Sequence, residues 1–228
     1  MKLTYFGHSA FQLDVNGVVI LIDPFISGNP LAEGVVRLED LKADVILVTH
    51  AHGDHFGDTP ALAARTGALV VANFEITAYL ERSHGYTNCV AMNTGGGFDL
   101  PWGRVTQTWA LHSSSFPDGT YGGNPGGFVV ESGNRCVYFA GDTAPFAEMA
   151  WIGDNHDIDV AVLPVGDVFT MGAPGSVRAA TMLRAAGVIP CHYDTFPPIK
   201  TDIQSWADRM RGAGQTPFVL APGQSMKI

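Results

Sequence analysis

The amino-acid sequence predicts an α/β fold of four layers, in which two mixed β-sheets pack face to face and helices cover both outer surfaces. Two internal similarities support this prediction. The segment Val18-Val19-Ile20-Leu21-Ile22-Asp23-Pro24 is similar to Cys136-Val137-Tyr138-Phe139-Ala140-Gly141-Asp142, and Asp44-Val45-Ile46-Leu47-Val48 is similar to Asp159-Val160-Ala161-Val162-Leu163. Each pair joins a hairpin to a buried strand, so the chain consists of two similar β-rich halves that need helices outside them. A dinucleotide-binding fold is not indicated, because no Gly-x-Gly-x-x-Gly follows a strand.

The first half of the chain predicts five strands and two helices. Asn16-Gly17 between two apolar runs is a strong hairpin signal, and Gly67 and Gly85 mark the ends of the helices. The predicted strands are residues 3–6, 10–15, 18–22, 44–49 and 70–72, and the predicted helices are 59–65 and 75–82.

The second half predicts six strands and two helices. Ser176 is the expected N-cap of an amphipathic helix that Gly187 stops, and the glycine run at 95–97 is expected to form a turn. The predicted strands are residues 105–111, 127–131, 136–140, 159–165, 188–191 and 217–220, and the predicted helices are 176–186 and 203–211.

Composition limits the class of protein. Apolar residues make up 46% and charged residues 15% of the 228 residues, which excludes a disordered chain. A chain of this length buries roughly 70–75% of its unfolded surface, and no linker divides it, so we expect one domain, 1–228.

Charge and cysteine usage indicate partners and compartment. The 13 basic and 22 acidic side chains give a net charge of −9, which argues against nucleic acid as a partner. Neither a signal peptide nor a membrane span is evident, and three cysteines without Cys-x-x-Cys spacing indicate no disulfide framework. We expect a cytoplasmic protein that acts on a small molecule without membrane contact; homo-oligomerisation stays open.

A histidine-rich motif follows the predicted strand 44–49. It reads Thr49-His50-Ala51-His52-Gly53-Asp54-His55. Positions i and i+2 of an extended chain point to one side, so His50 and His52 can bind the same ion. Gly53 permits a sharp turn that brings Asp54 and His55 to a second position. Imidazoles with a carboxylate suit zinc or a similar divalent ion, and not calcium or magnesium.

Three more candidate ligands stand at the ends of predicted strands. These are His112, Asp142 in Ala140-Gly141-Asp142-Thr143, and His192 in Pro190-Cys191-His192-Tyr193. Sites of α/β proteins gather at the C-terminal ends of strands, so we expect these side chains to join the histidine-rich motif.

This set of residues resembles the metallo-β-lactamase superfamily along nearly the whole chain. The segments Gly7-His8-Ser9-Ala10, Leu21-Ile22-Asp23-Pro24-Phe25, Thr170-Met171-Gly172 and His192-Tyr193-Asp194-Thr195-Phe196-Pro197 resemble its metal-dependent hydrolases related to ascorbate-6-phosphate lactonase. The resemblance implies an αββα sandwich with two metal ions. It implies that His50, His52 and His112 hold one ion, that Asp54, His55 and His192 hold the other, and that Asp142 bridges them. The resemblance implies Asn after the His192-Tyr193 pair, where this chain has Asp194, and this difference affects the polarity expected of the pocket.

The expected activity is hydrolysis by a hydroxide that two divalent ions activate when they lie roughly 3.5–4 Å apart. Zn²⁺ is the first choice of ion, with Mn²⁺ or Fe²⁺ as alternatives, and the expected substrate is small and anionic, a lactone or a phosphorylated sugar-like ester. Asp54 is expected to be catalytic, as a proton acceptor as well as a ligand. We expect Asp23 to orient a ligand imidazole. The expected substrate-pocket residues are His8, Asn29, Thr170, Met171 and Phe196.

Two alternative functions use the same residues. One is hydrolysis of a phosphodiester or nucleotide. The other is a metal-binding or sensor protein without turnover, against which the intact Asp54 argues. His84 and His156 carry no motif and are interpreted as ordinary surface residues.

Overall fold

A computed structural model describes all residues, 1–228, and contains thirteen strands and six α-helices. The strands are β1 (Lys2–Gly7), β2 (Ala10–Val15), β3 (Val18–Ile22), β4 (Val45–Leu47), β5 (Leu69–Asn73), β6 (Cys89–Met92), β7 (Gly97–Leu100), β8 (Gly103–Trp109), β9 (Gly126–Ser132), β10 (Arg135–Phe139), β11 (Val160–Pro164), β12 (Gly187–Cys191) and β13 (Ser225–Lys227). The helices are α1 (Gly53–Phe56), α2 (Thr59–Thr66), α3 (Phe74–His84), α4 (Met149–Asn155), α5 (Ala173–Leu183) and α6 (Ile203–Gly212).

The strands form two mixed sheets. The first has seven strands in the order β13-β1-β2-β3-β4-β5-β6, and the second has six in the order β12-β11-β10-β9-β8-β7. Strands β3 to β6 run parallel in the first sheet, and β10 to β12 run parallel in the second.

Three apolar layers hold this architecture together. Between the sheets, Phe11 and Ile20 belong to the same buried cluster as Phe128 and Phe139. A second cluster joins α4, α5 and α6 to one sheet, and a third joins α2 and α3 to the other. Burial of apolar surface in three successive interfaces is what a four-layer αββα sandwich requires, so the predicted fold class is confirmed.

The internal similarity corresponds to a repeated hydrogen-bond motif. The Asp44 backbone N–H donates to the Val19 carbonyl (2.8 Å), and the Asp44 carboxylate accepts the Val19 N–H (2.8 Å). Asp159 makes the same two bonds with Cys136, at 3.0 and 2.8 Å. The structure therefore pairs Val19 with Cys136, one residue away from the alignment that the sequence suggests.

The structure adds elements that the sequence pattern does not predict. They are the edge strands β6, β7 and β13 and the short helices α1 and α4. The expected turn at 95–97 ends where β7 begins, and the exposed residues of that strand carry no apolar alternation that could reveal it. The single domain over 1–228 stays a prediction.

Three predicted boundaries are wrong. The helix predicted to run to 186 ends at Leu183, with Arg184 in the left-handed region (φ 52°) as C-cap, and Gly187 begins β12 instead of stopping the helix. Helix α5 begins at Ala173 with Gly172 as N-cap, because Pro174 fits the first helical turn. Ser176, the predicted N-cap, lies inside the helix, and its hydroxyl accepts the indole N–H of Trp206 (3.2 Å) in the core. The segment 217–220 forms only an isolated bridge between Pro217 and Val188, and the last strand is β13, which pairs with β1.

The parallel strands of both sheets end beside the functional motifs. Asp23 follows β3, Thr49 and His50 lie shortly after β4, Asp142 lies shortly after β10, and His192 follows β12. None of the helices is long and apolar enough to cross a membrane.

Candidate metal centre

The histidine-rich motif divides its side chains between two groups. His50 and His52 lie in the extended segment after β4, where His52 is also the N-cap of α1. The four-residue helix α1 then carries Asp54 and His55. The chain changes from extended to helical at Gly53, and the two pairs stay adjacent. The ring centroids of His50 and His55 are 4.1 Å apart, and these two residues also form a third candidate ligand set with Asp23.

The first group consists of His50, His52 and His112, with ring nitrogens that all lie within 4.8 Å of one another. His50 Nε2 is 3.0 Å from His52 Nδ1. His112 stands three residues beyond β8, and its ring centroid is 5.2 Å from that of His50 and 5.1 Å from that of His52. Three imidazoles in this arrangement can hold one divalent ion.

The second group consists of His8, Asp54, His55 and His192, again with ligand atoms within 4.8 Å of one another. His192 Nε2 is 3.9 Å from Asp54 Oδ2, and the rings of His55 and His192 are stacked with centroids 5.6 Å apart. His8 joins this group through Asp54, at 3.1 Å from Nε2 to Oδ2.

Asp142 lies between the two groups. Its Oδ2 atom is 3.0 Å from His192 Nε2 and 3.3 Å from His55 Nε2 on one side. On the other side it is 3.6 Å from His112 Nε2 and 3.9 Å from His50 Nε2. One carboxylate oxygen within reach of imidazoles from both groups is the arrangement that a bridging ligand needs.

Asp23 and Thr49 support the imidazoles from behind. Asp23 Oδ1 accepts the Thr49 backbone N–H (2.8 Å), and Oδ2 accepts the Thr49 hydroxyl (2.6 Å). The same Oδ2 accepts Nδ1–H of His55 at 2.8 Å. Because the Thr49 hydroxyl donates its proton to Asp23, the hydroxyl oxygen is free to accept Nδ1–H of His50 at 3.0 Å. Both imidazoles therefore direct Nε2 at the centre, and in the neutral ring this is the nitrogen without a proton.

The donor set fits divalent metal ions. Two fully buried atoms at the centre have no hydrogen-bond partner: His55 Nε2 and Asp142 Oδ1. Buried polar atoms of this kind are costly unless something binds them. The separations of 3.0–3.9 Å around Asp142 Oδ2 are close to the ~3.3 Å between two ligands of a tetrahedral zinc ion.

The ionisable side chains of the centre show where positive charge is favoured. Burial lowers the pKa of His50 well below its ordinary value, and burial also lowers the pKa of His52 and of His112. Burial acts on His55 in the same direction, but the carboxylates of Asp142 and Asp23 outweigh it and raise its pKa well above the ordinary value. The preferred place for a cation is therefore beside Asp142.

Three side chains of the centre stand on backbone in the left-handed region. They are His8 (φ 58°), Asp23 (φ 44°) and His192 (φ 54°). Non-glycine residues adopt this conformation rarely and at a cost of about 1–3 kcal/mol each. Such strain is typical of functional sites, where the surrounding structure holds a side chain in a required direction.

The predicted pocket residues lie in different surroundings. The His8 side chain is fully buried (0% exposed), and Phe196 lies beside it, with ring centroids 5.5 Å apart. Asn29 is buried, and its amide bonds the backbone of Gly7, Phe25 and Leu31. Their roles in substrate binding stay predictions.

Thr170 and Met171 belong to a loop that is hydrogen-bonded to Thr143, the residue after Asp142. The Met171 backbone N–H donates to the carbonyl of Thr143, which follows Asp142, at 3.1 Å. The Met171 side chain is buried in the core, and the Thr170 hydroxyl is buried without a partner. These two residues stay predicted pocket residues.

Hydroxyl side chains are the functional residues that the sequence did not reveal. Thr49 orients His50, and Thr195 Oγ1 lies 2.8 Å from His8 Nδ1. Ser114 Oγ accepts the Ala51 backbone N–H at 3.2 Å, which fixes the loop between the two motif histidines. The only available signal was adjacency, since each stands one to three residues from a candidate ligand in the sequence.

Comparison with known proteins agrees with this geometry. A family model described as "Beta-lactamase superfamily domain" matches residues 19–193. The chain belongs to the beta-lactamase superfamily. A UPF0173 metal-dependent hydrolase from Salinibacter ruber is 48% identical over 100% of both chains, and one from Thermus thermophilus is 47% identical over 100% of this chain and 99% of its own.

A solved structure supports the same membership. The metallo hydrolase Igni18 from Ignicoccus hospitalis superposes with a TM-score of 0.89 at 37% identity, covering 100% of this chain and 98% of its own. The superfamily resemblance and the expectation of a metal-dependent hydrolase are therefore confirmed. The names of these relatives state the reaction class and the dependence on metal, and they specify no substrate.

Proposed function

We propose that this superfamily member is a binuclear metal hydrolase that opens a small lactone or a related ester. The observation that supports two ions is the position of Asp142 Oδ2, within 3.0–3.9 Å of imidazoles from both ligand groups. We assign His50, His52 and His112 to one ion, Asp54, His55 and His192 to the other, and Asp142 to both. Zn²⁺ is the first candidate, with Mn²⁺ and Fe²⁺ as alternatives.

Bound metal ions would supply activation of water, by lowering its pKa from 15.7 toward ~7, and polarisation of the substrate oxygen. Asp54 is proposed to accept the proton of the attacking water. Burial opposes ionisation of this carboxyl group, but the hydrogen bond from His8 and the charge of His55 outweigh burial and lower its pKa. Asp54 is therefore ionised at neutral pH, as a proton acceptor must be.

The charges around the centre favour a carbonyl substrate over a phosphodiester. No Lys or Arg side chain forms an ion pair with Asp23, Asp54 or Asp142; the arginine pairs, such as Arg135 with Asp159, lie elsewhere. Many sites that transfer phosphoryl groups add Lys or Arg side chains to their metal ions to hold the non-bridging oxygens. A lactone develops its negative charge on one oxygen, which a metal centre can take alone.

Exposed apolar side chains near the ligand loops fit the same class of substrate. Leu111 precedes His112 and is 46% exposed, and its backbone N–H donates to the Thr143 hydroxyl at 2.9 Å. Val168 and Phe169 are 66% and 51% exposed in the loop whose end bonds Thr143. Apolar groups on both sides of Thr143 offer contacts to the carbon skeleton of a lactone or ester.

A substrate panel tests this proposal. Protein loaded with Zn²⁺, Mn²⁺ or Fe²⁺ is assayed against uncharged lactones, a phosphorylated sugar-like ester and an aryl phosphodiester, together with metal analysis. We expect two ions per chain, fastest hydrolysis of a lactone, and a loss of about 10²–10⁴-fold for Asp54→Asn. The His156→Gln variant is the control, because its ring bonds Glu131 and no residue of the centre.

Each contrary outcome points to a different alternative. Faster hydrolysis of the phosphodiester would replace the lactone proposal with the phosphodiester one. Two bound ions without hydrolysis of any substrate would indicate a metal-binding or sensor protein. Fewer than one ion per chain, with no effect of His50→Ala on stability, would refute the metal centre itself.

A further inference from the structure

His8 reaches the metal centre because of an irregularity at the end of β1. The pairing of β1 with β2 shifts register between Tyr5 and Gly7, and Gly7 adopts φ 104°. Irregularities of this kind bend a strand and change the direction of a side chain, and they are frequent beside active sites. Here the result is a histidine with φ 58° whose ring is fully buried.

His8 contacts two of the proposed ligands of the second ion. Its Nε2 atom lies 3.1 Å from Asp54 Oδ2. Its ring centroid lies 4.1 Å from that of His192, and its backbone carbonyl accepts the His192 N–H at 2.9 Å. The rings of Phe25 and Phe196 close the other sides, with centroids 5.7 and 5.5 Å away. The imidazole is therefore held by contacts on several sides.

The contact with Asp54 indicates which nitrogen of His8 carries the proton. An ionised carboxylate can only accept, so the 3.1 Å contact between His8 Nε2 and Asp54 Oδ2 is a hydrogen bond donated by Nε2–H. In the neutral ring Nδ1 is then the acceptor, and the Thr195 hydroxyl, whose Oγ1 lies 2.8 Å away, is its donor. The Tyr193 carbonyl lies farther from the same hydroxyl, at 3.3 Å.

We propose that His8 is a positioning residue for the second metal ion. Its Nε2–H holds the carboxylate of Asp54 beside His55 and His192, and Thr195 fixes the ring in the tautomer that does so. This inference rests on the proposed two-ion centre. It makes His8 a hydrogen-bond partner of the metal ligand Asp54 and not a residue that contacts substrate. Partners of this kind restrict the rotation of a carboxylate ligand, and their loss lowers metal affinity.

Titration of the metal-free, full-length protein with Co²⁺ tests the proposal, because each bound ion is followed by its visible absorption spectrum without any substrate. We expect the wild type to bind two ions. The His8→Ala variant is expected to bind the second ion about 10–100-fold more weakly and the first ion unchanged. The His8→Gln variant keeps a side-chain N–H donor and is expected to restore the second affinity to within a few-fold of the wild type.

Two further variants complete the design. Thr195→Val removes the hydroxyl with little change of shape and is expected to weaken the second site less than His8→Ala does. His156→Gln is the matched control: its Nδ1 lies 3.1 Å from Glu131 Oε1, a carboxylate contact of the same length as that of His8, but away from the centre. We expect both affinities of this control to equal those of the wild type.

The outcomes separate this inference from the proposed function. Two ions bound with wild-type affinities by His8→Ala would overturn the positioning role alone. Equal losses in His8→Gln and His8→Ala would also overturn it, because the donor would then not matter. If His8→Ala does not fold, an unchanged second site in Thr195→Val would refute the proposal. A wild-type protein that binds only one ion would refute the two-ion centre and this inference with it.

Discussion

Asp23 is the residue whose replacement tests the support of the metal centre most directly. Its buried carboxylate accepts three hydrogen bonds, two from Thr49 and one from His55 Nδ1 (2.8 Å). Asp23→Asn keeps the shape but replaces one accepting oxygen with an NH₂ donor. In either orientation of the amide, a buried donor of Thr49 or His55 faces another donor and loses its acceptor.

The magnitude follows from this count. One buried donor without an acceptor costs about 1–3 kcal/mol of the free energy of unfolding. For a chain of this size, each kcal/mol corresponds to roughly 2–4 °C, so the melting temperature of the metal-free variant should fall by about 2–12 °C. Loss of the partner that orients His55 should weaken binding of the second ion by about 10–100-fold, which is ~1.4–2.7 kcal/mol.

The assay combines thermal unfolding of the metal-free protein with a metal titration. Asp44→Asn is the matched control, since the Asp44 carboxylate accepts only the Val19 backbone N–H and an amide oxygen can replace it. This control should remain within about 0.5 kcal/mol of the wild type and keep both metal affinities. If Asp23→Asn and Asp44→Asn behave alike in both measurements, the proposed role of Asp23 is wrong.

Two other predictions concern the loop after α1 and metal removal. In a denaturant titration, Gly57→Ala should lower the free energy of unfolding by about 2–4 kcal/mol, because φ is 36° and a Cβ would lie 2.8 Å from the Pro24 carbonyl oxygen. Gly67→Ala is the control: φ is 73°, but no atom lies within 4 Å of the added Cβ, so the same titration should show a loss of only about 1–2 kcal/mol. Removal of metal by a chelator should abolish hydrolysis. Adding metal back at a free concentration of 100 times the Kd of one site should stabilise the chain by about 2.7 kcal/mol, which corresponds to a rise of about 5–11 °C in melting temperature. Equal melting curves with and without metal would contradict this prediction.

The sequence predicts the centre of the fold better than its edges, and the reason is physical. Strands such as β3 and β11 are buried on both faces, so they appear as continuous apolar runs. The edge strand β7 is almost wholly exposed and lacks such a signal. Strand β13 forms only by pairing with β1, more than 200 residues away, and no local pattern can indicate that partner.

In the candidate metal centre, too, local sequence patterns predict some contacts, and contacts between distant segments are not predicted. The spacing within the motif 50–55 places four candidate ligands together by local geometry, and strand ends indicate where His112, Asp142 and His192 lie. The contact of His8 with Thr195 spans 187 positions and depends on the bulge at Gly7. The sequence therefore identifies His8 as a candidate residue, but only the folded chain shows which residues it contacts.

The repeat explains why two carboxylates at similar strand ends have different surroundings. The Asp23 backbone N–H donates to Leu47 (3.0 Å) just as Ala140 N–H donates to Val162 (3.1 Å), so the structural equivalent of Asp23 is Ala140. Asp142 comes two residues later, after the left-handed turn at Gly141 (φ 63°), and two residues span at most about 6–7 Å. Asp23 thus stays beneath the imidazoles and bonds Nδ1 of His55, whereas Asp142 extends past its strand end to the Nε2 atoms. A shift of two residues within a repeated motif is therefore sufficient to turn a supporting carboxylate into a candidate bridge between two ions.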